Sequence, residues 1–144
     1  MDRTIGHDPK PNGSGTYHVM TNDQIKIDGD RASAMADMAR AGGIDVLTGD
    51  YLAEVTMLIL GKARAKDPTK GYAATFLPHL DAALEHLVAN RIRLVVNAGG
   101  LNPSGCRDEV FRLARELGIR GLKVGIIEGD DLLPRMGRLC AAGH

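Results

Sequence analysis

Apolar residues follow two spacings along this chain, one typical of strands and the other typical of helices. Short apolar runs predict strands over residues 17–21, 44–48, 92–96 and 122–127. Around these runs, apolar residues recur at intervals of three and four, which is the spacing of one helix face. That spacing predicts helices over residues 30–41, 49–66, 76–90, 103–117 and 132–142.

The alternation of strand and helix signals predicts an α/β fold. We expect a Rossmann-like parallel sheet of about four strands, covered by helices on both faces. The 92–96 strand ends in apolar β-branched residues, as interior parallel strands do. The second helix has a wide apolar face, which predicts that it is well buried; this face carries Leu52, Val55, Leu58 and Ile59. Residues 1–16 are rich in turn formers and predict a flexible tail, so residues 17–144 form a single α/β domain.

Composition excludes several classes of function. Eighteen basic residues balance eighteen acidic residues, so the chain lacks the charge of a general nucleic-acid or anionic-membrane binder. Aromatic residues make up 3% of the chain and Trp is absent, which disfavours base stacking. No run of residues approaches the roughly 20 apolar residues of a membrane span. Two cysteines without CxxC spacing predict reduced thiols, and we expect a cytoplasmic protein.

Polar and glycine residues concentrate where predicted strands end, and ligands bind at those ends in open α/β sheets. The turn over residues 22–30 lacks a GxGxxG arrangement, so it is not a dinucleotide fingerprint. In the next turn, Asp50 and Glu54 are four residues apart at the start of the second predicted helix and hence on one face. Paired carboxylates there could hold Mg²⁺ or act as acid and base. The alternative is a helix cap and a carboxylate that complements the helix dipole.

The third turn, residues 97–105, is rich in glycine. Gly99 and Gly100 would let the backbone approach a ligand closely, and the helix that follows would favour an anion at its N-terminus. Pro103 suits the first position of that helix, with Asn102 as its cap. The alternative is a tight turn between strand and helix with no ligand.

The fourth turn places three carboxylates within residues 128–131. They repel one another unless a cation or an arginine lies between them. Capping of the next helix explains Asp130, but it explains neither Glu128 nor Asp131. Two weaker candidates lie elsewhere: His79 is interpreted as one of two solvated histidines, and Cys106 as a small buried side chain that could also act as a nucleophile at a helix N-terminus.

The residues at three of these turns resemble the AtuA family, the acyclic terpene utilisation proteins. The matching motifs occur in the family's order between residues 29 and 138, and comprise residues 45–57, 63–68, 71–73, 96–103 and 124–133. The resemblance implies a cytoplasmic protein of acyclic terpenoid or branched acyl-CoA catabolism, as a subunit or fragment of a hydratase- or lyase-type enzyme. The alternatives are a non-catalytic binding or assembly subunit, which pairs with the rest of the family chain, and an inactive fragment.

Two departures from the family accompany this resemblance. Of the Gly-rich loop that follows the family's first strand, only Gly29-Asp30-Arg31 survives here. Family members are also several times longer, which leads us to expect a natural fragment, a split subunit or an incorrectly started gene product.

The convergence of the second, third and fourth turns predicts one site at the sheet edge. We expect catalytic roles for Asp50, Glu54, Glu128 and Asp131, and ligand-binding roles for Asn97, Gly99, Gly100, Asn102, Ser104 and Asp130. The sequence does not identify a cofactor, although a divalent metal is one candidate and CoA would enter as part of the substrate. The expected partners are a small acyl-CoA or carboxylate ligand and further subunits in a homo- or hetero-oligomer, without nucleic acid or membrane.

Overall fold

A computed structural model describes residues 19–22 and 33–143 of the chain. Its strands are β1 Val19–Asn22, β2 Val46–Gly49 and β3 Arg93–Val96. Its helices are α1 Ala34–Ala41, α2 Glu54–Lys66, α3 Phe76–Ala89, α4 Pro103–Glu116 and α5 Met136–Ala141, with a 3₁₀ turn over Leu133–Arg135. The predicted tail, residues 1–16, and most of the first turn lie outside the described residues.

The described strands form one parallel sheet in the order β1-β2-β3. Val46 pairs with Arg93 and Gly49 with Val96, so β2 is central and β3 lies at an edge. The prediction of a Rossmann-like sheet of about four strands is therefore wrong, as is the interior position of residues 92–96. Residues 122–127 form no strand. Leu122 and Val124 instead pack against the core, and Gly125 between them and the following apolar residues weakens any strand tendency.

Residues of α1, α3 and α4 share one core on the face of the sheet that carries Leu47 and Leu94. When strand order increases steadily and crossovers are right-handed, successive connecting helices fall on the same face of the sheet. Consistent with this, α1 and α3 pack against each other, and Leu47 and Leu94 of the sheet join their core. On the opposite face, Val95 is 49% exposed.

The core is built largely by α1, α3 and α4, where most residues of the predicted apolar stripes are buried. Their inward residues all belong to one buried cluster, which includes Met35, Ala39, Leu80, Leu84, Leu87, Val110 and Leu113. The predicted cap also holds, because the Asn102 side chain accepts a hydrogen bond from the Gly105 N–H at 2.9 Å and Pro103 is the first residue of α4. Local signals were sufficient here because each helix faces the core along one stripe.

The start and the buried side of α2 differ from the prediction. The Asp50 carboxylate accepts the Leu52 N–H at 3.0 Å, a local turn that keeps residues 50–53 out of the helix. Thr56 and Leu60 are the buried residues of α2, whereas Val55, Leu58 and Ile59, which were predicted to face inward, are exposed. The reason is that α2 packs against loops rather than the main core: a Cβ on Gly100 would lie 2.6 Å from the Leu60 side chain.

The two thiols should differ in reactivity. Cys106 is 6% exposed within the core, and burial raises its pKa to about 11, whereas Cys140 is exposed. Because the thiolate is the reactive form, Cys106 stays a protonated thiol near neutral pH and is a poor nucleophile. We expect a thiol reagent at pH 7.5 to modify one cysteine per native chain rapidly, with mass spectrometry placing the label on Cys140. Rapid labelling of both in the folded protein would contradict the burial of Cys106.

Candidate functional site

Asp50 and Asn97 meet at the carboxyl edge of the sheet. Each is the residue that follows its strand, and the pairing of Gly49 with Val96 brings them side by side. The Asn97 side-chain amide donates to the Asp50 carboxylate at 2.6 Å, and its carbonyl oxygen accepts the Tyr51 N–H at 2.7 Å. The predicted convergence of these two turns is therefore observed, and both polar side chains remain exposed to a ligand.

Tyr51 and His79 lie beside this pair and were missed as site residues. Tyr51 is 4% exposed and its ring meets Phe76 edge-on at 5.3 Å between centroids. Its hydroxyl is 3.1 Å from His79 Nδ1, so His79 is a half-buried side chain with a partner within the chain. Burial raises the pKa of Tyr51 well above its ordinary value, which keeps the hydroxyl protonated. The signal was a tyrosine immediately after the strand-end aspartate, in a position that faces the core.

The charge of Asp50 depends on its neighbours. Hydrogen bonds from the Asn97 side chain and from the Leu52 backbone hold the pKa of Asp50 below its ordinary value. Asp50 is therefore a carboxylate throughout the physiological range. It can accept a hydrogen bond from a ligand, but it does not carry a proton to donate.

Replacing Asn97 with alanine should raise the pKa of Asp50 toward its ordinary value. The variant loses the hydrogen bond that lowers this pKa the most. An NMR titration of the Asp50 carboxyl carbon measures this directly. A carboxyl with a lowered pKa stabilises the fold above its unfolded pKa and loses that contribution as pH falls through the folded value. The stability difference between wild type and Asn97→Ala should therefore shrink below about pH 4. An unchanged Asp50 titration in the variant would contradict the contact.

Atoms of the protein itself occupy the space beside the glycines of the third turn. A Cβ on Gly99 would lie 2.9 Å from the Pro103 Cα, and one on Gly100 would lie 2.8 Å from the Gly71 carbonyl oxygen. Gly100 also has a φ of +50°, which disfavours other residues. Packing of the chain on itself therefore accounts for these glycines, and their predicted contact with a ligand stays a prediction.

Asn102 joins the third turn to the loop that precedes α3. While its carbonyl oxygen caps α4, its amide group lies 3.0 Å from the Thr69 carbonyl and 3.2 Å from the Lys70 carbonyl. The Leu101 N–H also donates to the Gly71 carbonyl at 2.8 Å. These contacts give Asn102 a positioning role in the turn, and its expected ligand-binding role stays a prediction.

The carboxylates of the fourth turn find partners within the chain. Glu128 accepts a hydrogen bond from the Ser104 hydroxyl at 3.2 Å, in the first turn of α4. Asp131 forms an ion pair with Arg64 at 3.0 Å, so an arginine neutralises one of the three carboxylates, as the repulsion among them had suggested. Asp130 is exposed. Among the described residues, no hydrogen bond joins this group to Asp50 or Asn97, and the convergence of the fourth turn on that pair stays a prediction.

Asp50 lies outside α2, because α2 begins at Glu54. The two carboxylates therefore do not share a helix face, and the geometric basis for their pairing is lost. Within residues 19–22 and 33–143, no group of three or more His, Cys, Asp or Glu side chains is placed to hold a metal ion. None of the described helices is both long and apolar enough to cross a lipid bilayer.

Fold and site together define an α/β domain with a polar pair at the carboxyl edge of a parallel sheet. Residues 27–144 match the model of the family described as acyclic terpene utilisation family protein AtuA. The match covers more than half of the chain, and the chain therefore belongs to the AtuA family. No curated protein and no solved structure matches the sequence. Family membership connects the chain with acyclic terpene utilisation.

Proposed function

We propose that this chain acts in the catabolism of acyclic terpenoids or similar branched acyl-CoA compounds, as part of a hydratase- or lyase-type enzyme. The observation that carries the proposal is the Asn97–Asp50 hydrogen bond, which holds an ionised carboxylate at the strand ends where α/β proteins bind ligands. Membership of the AtuA family supports the link to acyclic terpenes.

The chemistry of a hydroxyacyl or enoyl substrate suits this pair. Hydration adds water across a double bond, and carbon–carbon cleavage of a β-hydroxyacyl group begins at its hydroxyl. In both reactions, a carboxylate that accepts a hydrogen bond orients the O–H group that reacts. Because its pKa is lowered, Asp50 serves chiefly as this acceptor, while Asn97 fixes the carboxylate in place.

The α4 N-terminus has a smaller part in this proposal. Glu128 already lies against Ser104 in the first turn of α4, so a phosphate or carboxylate of the ligand would have to displace it. Catalytic roles for Glu54, Glu128 and Asp131 stay predictions without a contact that supports them.

The test is turnover of a panel of branched enoyl-CoA and hydroxyacyl-CoA compounds by the chain, both alone and in the complex isolated with it from its source cells. Asp50→Asn should lower kcat/KM by about 100-fold, which is the loss expected when a reacting group is no longer held in position. Asp81→Asn is the matched control, since Asp81 is an exposed carboxylate on α3. Equal turnover by both variants would contradict a role for Asp50.

A non-catalytic binding or assembly subunit is the second candidate. It is favoured by the internal partners of Glu128 and Asp131, which leave fewer groups for catalysis. Its signature would be acyl-CoA binding that Asp50→Ala weakens, without turnover by the wild-type complex. Turnover by the wild-type complex that is lost in Asp50→Asn favours the enzyme.

A further inference from the structure

Helix α2 has an outward apolar face, formed by Val55, Leu58 and Ile59. These side chains are 68%, 58% and 53% exposed, and their spacing of three and four residues aligns them on one side of the helix. Single exposed apolar residues are common on protein surfaces, but a contiguous row of them marks a contact surface. We call this row the α2 face.

The rest of α2 is firmly attached to the domain. Leu60 is buried beside Gly100, and Arg64 forms the ion pair with Asp131 on another side of the helix. The α2 face therefore belongs to a helix that is packed on the domain, and its exposure does not arise because the whole helix is detached.

Charges at the two ends of the α2 face are complementary. Glu54, Leu58 and Lys62 are four residues apart in turn, so they form one ridge along the helix with Leu58 at its centre. Glu54 and Lys62 lie about 6 Å to either side of Leu58, given a rise of about 1.5 Å per residue. Among the described residues, neither charged side chain has an ion-pair partner.

This pattern is self-complementary under two-fold symmetry. In an antiparallel pair of α2 helices, with Leu58 on the axis, Glu54 of each copy lies level with Lys62 of the other. The apolar side chains then cover one another, and the two helix dipoles run in opposite directions. The net charge of zero adds no overall repulsion between copies.

We propose that the α2 face is the contact of a symmetric dimer of this chain, formed by antiparallel packing of two α2 helices. The proposal goes beyond the function proposed above and does not depend on it. One helix pair buries less than a standard interface of about 1,600 Å². The dimer should therefore be reversible, with an association state that rises with concentration.

Sedimentation velocity of the full chain over a concentration series provides the first test. Wild type should change from monomer to dimer as concentration rises, and Leu58→Glu should remain a monomer at every concentration. Leu133→Glu is the control, because Leu133 is 74% exposed but lies outside α2, and it should dimerise as wild type does. Circular dichroism confirms that each variant is folded.

Charge exchange provides a test that misfolding cannot imitate. Glu54→Lys alone and Lys62→Glu alone should each lose the dimer, because each places like charges opposite one another twice. A mixture of the two variants should form a heterodimer, in which both facing pairs are again of opposite charge.

Two results would overturn the proposal. One is wild-type protein that stays monomeric throughout the series. Protection of the α2 face from hydrogen exchange in that monomer would mean that residues 1–18, or a different protein, cover the face instead of a second copy. The other is a dimer that Leu58→Glu leaves intact, which would place the interface elsewhere.

Discussion

Gly100→Ala is expected to destabilise the domain by about 2–5 kcal/mol. Part of this loss is the left-handed backbone at a φ of +50°, which disfavours residues with a Cβ by about 1–2 kcal/mol. The remainder is steric, since the new methyl group would lie 2.6 Å from the Leu60 side chain and 2.8 Å from the Gly71 carbonyl oxygen. Overpacking of this kind adds about 1–3 kcal/mol.

Gly118→Ala is the matched control for this prediction. Gly118 has a φ of +69° and no atom within 4 Å of an added Cβ, so its substitution incurs the backbone term alone. Free energies of unfolding from urea titrations of both variants separate the two terms. Equal losses would contradict the close packing of α2 and the Gly71 loop on the third turn.

Tyr51→Ala should cost about 3–5 kcal/mol of stability, as truncations of buried aromatic residues do. The ring is almost fully buried and contacts Phe76, and no nearby side chain can fill the space without moving. Tyr51→Phe keeps the ring and removes only the hydroxyl that bonds His79, so it should lose about 1 kcal/mol.

The same urea titrations measure these two variants. A loss for Tyr51→Phe that equals the loss for Tyr51→Ala would mean that the His79 hydrogen bond, rather than the buried ring, holds this region together. A negligible loss for Tyr51→Ala would contradict the position of Tyr51 in the core.

Helices that face the core along a single stripe could be predicted from the sequence. The bounds of α3 and α4 follow their apolar spacing, and Asn102 and Pro103 mark the start of α4 correctly. These are local features, because a cap and a periodic stripe are determined by residues within a few turns of one another.

Features that depend on distant partners could not be predicted. The spacing of α2 is compatible with more than one buried side, and its contact with Gly100 selected the side of Leu60. Residues 122–127 have the apolar content of a strand, but a strand exists only where another strand pairs with it. The proximity of Asp50 and Asn97 could be predicted, because residues that follow neighbouring parallel strands lie at the same edge of the sheet. The Tyr51–His79 contact could not, because it depends on how α3 packs.

Chemical-shift mapping can show whether Asp50 and Asn97 bind the proposed ligand. Isotope-labelled protein is titrated with the branched enoyl- and hydroxyacyl-CoA compounds, with free CoA as the reference. We expect saturable shifts of the Tyr51 backbone amide and the Asn97 side-chain amide, which Asp50→Ala weakens and Asp81→Asn leaves unchanged. Shifts confined to Ser104 and Glu128, or no saturable shift with any compound, would contradict this binding.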